Sequence, residues 1–307
     1  MTEPLTPLLA ECRCCPRACG VNRLAGETGY CRVPAEVPVA HAGLHFGEEP
    51  PISGTGGSGT IFFAGCNLRC VFCQNFQISQ EFDRRSLRSH DAASLAGEML
   101  LLEERGAHNI NLVSPSHVVL QAADAIVEAR SRGLRIPIVY NSNGYDSLES
   151  LRRIRGLVEI YLPDLKYLSG TIAARYSDAP DYPEIAREAL REMRAQVGPL
   201  KTDPRGIATR GLLVRHLVLP GALENSRRCL RFLADLAPEI HVSVMSQYAP
   251  LHRASEFPEI DRPLPPEEYR EIVRFADEIG LENAFVQEPE SRDHYLPDFR
   301  RPRPFDP

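Results

Sequence analysis

Short apolar runs alternate with amphipathic stretches from about residue 60 to residue 280. Thr60-Ile61-Phe62-Phe63, bounded by glycines, reads as a buried strand. Asp91 follows as a helix cap, with Leu95, Met99 and Leu102 on one face and Gly106 at the stop. His108–Val113 predicts a second strand, and Ser116 caps a helix that turns Val119, Ala123 and Ile126 inward. Ile136–Tyr140 is a third strand. Asp146 and Glu149 form a capping box ahead of Leu148, Leu151 and Ile154, ended by Gly156. Val158–Leu162 is a fourth strand, and Pro183–Val197 a helix. Gly211–Leu219 and Ile240–Met245 are the fifth and sixth strands, followed by helices over Glu224–Leu236 and Glu267–Ile279.

Strand–helix units repeated in this way predict a parallel sheet with right-handed crossovers. Such sheets place their sites at the carboxyl ends of the strands. The flanks read differently. Val33 to Pro51 looks like an extended connection broken up by prolines, and Ser53–Gly59 like a tight, mobile entry into the first strand. The glycines there precede a strand and lack Gly-Lys-Ser/Thr, which argues against a phosphate loop. From Ser291 on, mixed charge without periodicity predicts irregular cover. The chain divides into residues 1–52, a cysteine-rich metal-binding or cap segment, residues 53–290, the barrel, and residues 291–307, the tail.

Composition narrows the function. The 307 residues suffice for a full core. Lys and Arg number 35 against 41 Asp and Glu, so there is no nucleic-acid footprint. No apolar run reaches the roughly 18 residues of a membrane helix, and the N-terminus shows no secretory pattern. Eight of the nine cysteines precede residue 74. Thiols clustered in this way point to metal in a reducing, cytoplasmic compartment rather than to disulfides.

Cys66, Cys70 and Cys73 follow the first strand with the spacing C-x3-C-x2-C. Three thiolates on one loop can hold three irons of a [4Fe–4S] cluster, and a missing fourth leaves one iron open. Structural zinc would want a fourth ligand nearby. A second group, Cys12, Cys15, Cys19 and Cys31, offers four thiolates for zinc or a second Fe–S cluster, with free thiols as the plain alternative. Cys14 lies between two of these and reads as a bystander. Cys229 shares an apolar helix face with Leu230, Leu233 and Leu236, and reads as inert core.

The C-x3-C-x2-C loop, with Phe72 before the last cysteine and a strand ahead of it, resembles the cluster loop of radical S-adenosylmethionine (SAM) enzymes. That resemblance implies an α/β fold, a partial (βα)6 TIM-like barrel carrying a small cysteine-rich N-terminal extension. It implies a [4Fe–4S] cluster whose open iron binds SAM and whose electron cleaves it to a 5′-deoxyadenosyl radical. A reductant such as flavodoxin or ferredoxin would supply that electron. Three runs resemble the PflX group, which is similar to pyruvate formate-lyase activating enzymes: Cys15-Pro-Arg-Ala-Cys19, Ser58-Gly-Thr-Ile-Phe-Phe63 and Arg215-His-Leu-Val-Leu-Pro220. The substrate is then a glycyl radical enzyme or another peptide, with a small molecule as alternative and a non-catalytic iron–sulfur protein as a third reading.

The strand ends supply the remaining candidates. Ser114 and Ser116 stand where many family members carry Gly-Gly-Glu-Pro to meet the SAM amino group. Asn141-Ser-Asn143-Gly and Asp164-Leu-Lys166 resemble the Asp-Thr-Asn-Gly and Asp-Leu-Lys runs of the activating enzymes, with Asn141 replacing an aspartate. The resemblance implies Lys166 near the SAM carboxylate, and Asp164 sharing a monovalent-cation site with Ser142. An ion pair between Asp164 and Lys166 is the plain alternative. Of Arg215 and His216, alternation along the strand lets only one face the interior. Met245-Ser-Gln-Tyr248 is expected near adenine or ribose.

Overall fold

The computed structural model describes residues 3–287, 296–301 and 303–305. Its strands are β1 (Val37–His45), β2 (Ser58–Phe63), β3 (Arg88–His90), β4 (Ile110–Val113), β5 (Ile138–Asn141), β6 (Ile160–Tyr161), β7 (Lys201–Thr202), β8 (Ala208–Leu217), β9 (His241–Met245) and β10 (Ala284–Val286). They form one sheet in the order β10-β9-β8-β6-β5-β4-β2-β1-β3, with β7 paired to β8. Every pair from β2 to β10 along that order is parallel. Each chain return between those strands contains at least one helix, the crossover that parallel pairing requires. The sheet does not close, and it has the architecture of a partial barrel. Residues in β2 and β5 are buried on both faces, which is why they read as continuous apolar runs rather than alternating ones.

The helices are α1 (Pro50–Ser53), α2 (Phe76–Ser79), α3 (Ala92–Glu104), α4 (Val119–Ser131), α5 (Leu148–Arg153), α6 (Gly170–Ser177), α7 (Tyr182–Val197), α8 (Leu223–Leu236) and α9 (Pro266–Glu278). Asp91 caps α3 as expected: it accepts from the Ser94 N–H at 2.8 Å, and Ser94 answers with its hydroxyl. The α8 stripe Cys229, Leu230 and Leu233 is fully buried, at about 1.5–3 kcal/mol for each large apolar side chain. Cys229 is core.

Two capping expectations are overturned. Ser116 does not cap α4; it lies buried in a short 3-10 turn, and α4 starts only at Val119. Asp146 is not the cap of α5. Its carboxylate is drawn back to β5, where the Tyr140 hydroxyl (2.9 Å) and the Ser142 hydroxyl (2.6 Å) donate to it. Glu149 points outward to Arg153.

The expected proline-broken connection over Val33 to Pro51 contains β1, antiparallel to both β2 and β3. Pro38 survives inside it because it needs only its carbonyl, which accepts the Ala64 N–H at 2.9 Å. The glycine run beneath β2 is closely packed: at Gly54, with φ of +47°, a Cβ would stand 2.2 Å from Ile207. Part of the expected irregular tail lies outside the described residues. Its described part folds back over the barrel mouth, where Phe305 and Phe299 pack on Phe62.

Candidate functional site

The cysteine loop leaves the carboxyl end of β2 through Gly65. Its φ is +80°, and a Cβ there would stand 2.6 Å from the Cys31 carbonyl, so only glycine passes. The loop is strapped down by its backbone. Val71 N–H donates to the Tyr176 carbonyl, and Val71's own carbonyl accepts from Arg253. Phe72 is clamped between Tyr176 and Tyr248. This explains the aromatic residue before the last cysteine as an anchor.

Cys66, Cys70 and Cys73 all reach one cavity of about 540 Å³, within the usual range for a bound cofactor or ligand. Each sulfur has a polar companion. Cys66 accepts the Leu68 N–H (3.4 Å) and the Asn143 amide (3.4 Å), Cys70 accepts the Ser177 hydroxyl (3.0 Å), and Cys73 lies 3.3 Å from the Ser79 hydroxyl. Burial, with the neighbouring Cys70 next in weight, pushes the Cys66 thiol up to about 12 and the Cys73 thiol up to about 11. Buried thiols with donors aimed at their sulfurs ionise when a cation replaces the proton. Among the described residues, no three His, Cys, Asp or Glu groups stand close enough to share one metal ion. Three thiolates on one loop are a donor set that suits three irons of a [4Fe–4S] cluster.

The strand ends bring in most of the other candidates. Ser114, Asn141, Asn143, Asp164, Lys166 and Arg215 line the same cavity, as do Met245 and Gln247. Ser114 holds φ of +55°, its N–H donating to the Asn141 carbonyl at 2.7 Å. Ser116 is buried away from the cavity, in the shell around Asp146. Lys166 and Asp164 form an ion pair at 2.5 Å. Burial opposes the Lys166 charge, but Asp164 and the Cys70 sulfur outweigh it and push the ammonium up.

The Ser142 side chain does not meet Asp164, with which it was expected to share a cation. The Ser142 hydroxyl is spent on Asp146, and only its carbonyl meets Asp164, accepting the Asp164 N–H at 2.9 Å. Arg215 faces the interior while His216 faces outward into the packing, where Leu165 O lies 2.7 Å from Nδ1. Burial lowers that imidazole to about 4, so it is neutral.

Two carboxylates were not singled out from the sequence. Glu48 and Glu49, on the turn into α1, both grip Arg215, Glu49 through two bonds, the longer 2.8 Å. Burial works against the Glu49 charge, but the Arg215 guanidinium holds its carboxyl below the ordinary value. Adjacent glutamates before Pro50-Pro51 carry no sequence signal of a partner 166 residues away.

The N-terminal cysteines converge too. Cys12, Cys14, Cys15, Cys19 and Cys31 line one small cavity beside the cluster loop. The Cys14 sulfur lies 3.6 Å from that of Cys12.

A fold of this kind with three cysteines on the loop after its first barrel strand defines a class. Residues 60–203 match the Radical SAM superfamily, so the chain carries a domain of that superfamily. An uncharacterized protein of Methanocaldococcus jannaschii, MJ0674, is 30% identical over 281 residues, which cover 90% of this chain and 77% of the relative; the two are one family. Among solved structures, Streptococcus suis SuiB bound to S-adenosylmethionine superposes with a TM-score of 0.52 at 12% identity, covering 73% of this chain and 48% of SuiB. SuiB bound to its precursor peptide SuiA gives 0.51 at 11%, covering 73% and 47%. This chain spans about half the length of SuiB, and the likeness is one of fold. Radical SAM chemistry, with its [4Fe–4S] cluster and SAM, is what superfamily membership indicates. No described helix is long and apolar enough to cross a membrane.

Proposed function

We propose that the protein is a radical SAM enzyme whose substrate is a peptide or protein, with a glycine of a glycyl radical enzyme as one such target. The observation that carries the radical SAM reading is the convergence of Cys66, Cys70 and Cys73 on one cavity with the strand-end groups Asn143, Lys166 and Asp164. When bound there, a [4Fe–4S] cluster and SAM would supply reductive cleavage of the sulfonium and a 5′-deoxyadenosyl radical that takes hydrogen from the substrate.

The chain's own residues have definable tasks. The three sulfurs would hold the irons, and the Leu68 N–H, Asn143 amide and Ser177 hydroxyl would stabilise Cys66 and Cys70 as thiolates. Lys166 offers a charge-assisted donor to the SAM carboxylate, with Asp164 aiming its ammonium. Ser114 and Asn141 put polar atoms at the next strand ends, with Ser116 behind them. Phe62, Phe299 and Phe305 screen the mouth from water.

The peptide reading is supported by size. A cavity of about 540 Å³ that has to receive a cofactor as large as SAM would leave a substrate the space towards its open mouth. SuiB, the fold neighbour, has been seen with a precursor peptide. A small-molecule substrate is favoured instead by one feature, the fixed charges of Glu48, Glu49 and Arg215 in the cavity wall. The reductant would be a flavodoxin or ferredoxin, in the cytoplasm.

The test is anaerobic reconstitution followed by dithionite and SAM. The wild type should form 5′-deoxyadenosine, and the Cys66→Ala/Cys70→Ala/Cys73→Ala variant none. Deuterium passing from glycine-labelled peptides into 5′-deoxyadenosine would support the peptide reading. Transfer only from small metabolites would overturn it.

A further inference from the structure

The five thiols of the N-terminal segment play no part in the reaction proposed above. All five are unbridged, and Cys12, Cys14, Cys15 and Cys31 are buried. Cys19 is held by Gly29 and Tyr30. Its sulfur accepts the Tyr30 N–H at 3.4 Å, and a Cβ on Gly29 would stand 2.6 Å from it. Five cysteines drawn from a stretch of twenty residues thus present themselves to one cavity.

The second observation is a buried cation. Arg23 is 1% exposed. Its Nε and Nη2 donate to the Pro34 carbonyl at 3.0 and 2.7 Å, and its Nη1 to the His117 carbonyl at 2.8 Å. Among the described residues no carboxylate pairs with it. Nη1 lies instead 3.7 Å from the sulfurs of both Cys12 and Cys14. A guanidinium stays charged in a protein, and a buried charge without a counter-charge is costly. Neutral carbonyls compensate only part of that cost, so the anion has to come from sulfur. Thiolates held by metal supply it.

The sulfur spacing separates the kinds of metal. Zinc with bonds of about 2.3 Å needs four sulfurs within about 3.8 Å of one another. Cys12 and Cys14 stand at 3.6 Å, and among the described residues no group of three or more His, Cys, Asp or Glu is placed to hold one metal ion. An iron–sulfur cluster spreads its ligands, one thiolate to each iron. Two sulfurs 3.6 Å apart are too close for separate irons, so Cys12 and Cys14 give one ligand between them. The Cys14 sulfur has the His117 carbonyl at 3.5 Å as acceptor for its proton. Cys12 is therefore the ligand and Cys14 the thiol beside it, and the five cysteines yield four ligands.

The cavity also adjoins the radical site. Asn67 lines it and is the neighbour of Cys66 in the chain. Its side-chain oxygen accepts from the Asn143 amide at 2.8 Å, the same amide that donates to the Cys66 sulfur. We propose that Cys12, Cys15, Cys19 and Cys31 hold a second, redox-active iron–sulfur cluster, charge-balanced by Arg23 and separated from the first by Asn67.

The test uses the full chain carrying Cys66→Ala/Cys70→Ala/Cys73→Ala, reconstituted anaerobically with iron and sulfide, so it does not depend on SAM cleavage. It should retain about four irons and about four acid-labile sulfides, with an electron paramagnetic resonance signal after dithionite. Adding Cys14→Ser should leave these unchanged, and adding Cys12→Ser or Cys31→Ser should abolish them. Zinc without sulfide, or no metal, would overturn the proposal, as would loss of iron on Cys14→Ser with retention on Cys12→Ser. Because the added cysteine variants can also fail by misfolding, Arg23 provides a separate reading. Arg23→Met should shift the midpoint potential of this cluster to more negative values, and Arg23→Lys should restore it towards the parent. An unmoved potential in a folded Arg23→Met chain would remove the charge-balancing role.

Discussion

Two groups of cysteines lie side by side in this protein, and they are built in opposite ways. Cys66, Cys70 and Cys73 sit at the carboxyl end of a parallel strand and open onto a cavity of about 540 Å³. Their donors are neutral amides and hydroxyls, and Lys166, whose charge acts on Cys70 and Cys73, is already engaged by Asp164. The N-terminal group faces a small cavity, is mostly buried, and has a buried arginine in contact with its sulfurs. A group of three on an open cavity leaves room for a ligand. A group of four with its own cation leaves none. The difference lies in what surrounds the sulfurs, since the sequence spacings C-x3-C-x2-C and C-x2-C-x3-C are nearly mirror images.

The largest expected effect separates the two groups outright. Cys66→Ala/Cys70→Ala/Cys73→Ala should eliminate 5′-deoxyadenosine formation while its iron content falls only by about half, because the N-terminal group is untouched. Iron analysis alongside product chromatography checks both halves at once. Complete loss of iron would merge the two groups into a single site.

Second in size is Lys166→Met. A charge-assisted contact to a carboxylate in a partly desolvated pocket is worth roughly 1.5–3 kcal/mol, so SAM affinity should fall by roughly one to two powers of ten. The cluster spectrum should stay unchanged, because the lysine ligates nothing. SAM titration followed by absorbance decides it. An unaltered affinity would make the lysine a structural partner of Asp164 alone.

A third change probes the boundary between the groups. Asn67 is 1% exposed; its amide donates to the Tyr145 carbonyl at 2.7 Å, and its oxygen accepts from Asn143. Asn67→Leu strands both partners, at about 1–3 kcal/mol of stability. Thermal unfolding of the reconstituted protein should show the loss. Asn67→Asp keeps the acceptor and the volume, and should fall between the two. Equal stability of all three would mean that the bridge between the groups is not fixed.

The sequence made the parallel sheet legible because each βα unit carries its own local pattern, and the six strand positions fell within a few residues of the observed ones. The cluster loop was legible because its ligands are adjacent. What stayed hidden depends on partners far along the chain. Asp146 has the sequence context of a helix cap, yet Tyr140 and Ser142 capture it. Glu48 and Glu49 gain meaning only when β8 delivers Arg215. β1 was hidden by Pro38, which breaks the strand pattern locally although the ladder there needs only its carbonyl. Arg23 carries no local signal of its partners, and only the folded cap shows it among thiols.

The smallest effect comes from Asp164→Asn, and it tests whether the open site needs a cation besides the one it carries. Asp164 lies 2.5 Å from Lys166, and the Ser142 hydroxyl is committed to Asp146. A monovalent ion at Asp164 would have to displace the ammonium or recruit an oxygen that is already in use. The asparagine keeps an acceptor for Lys166 and loses only the charge, so the ammonium remains aimed into the cavity. SAM affinity should therefore drop less than in Lys166→Met, by less than about one power of ten, equivalent to roughly 1.4 kcal/mol. Adding potassium or sodium should leave the titration curve of the variant where it was. A salt-dependent recovery specific to one of these ions would show that Asp164 ligates a cation, with Lys166 free to leave it.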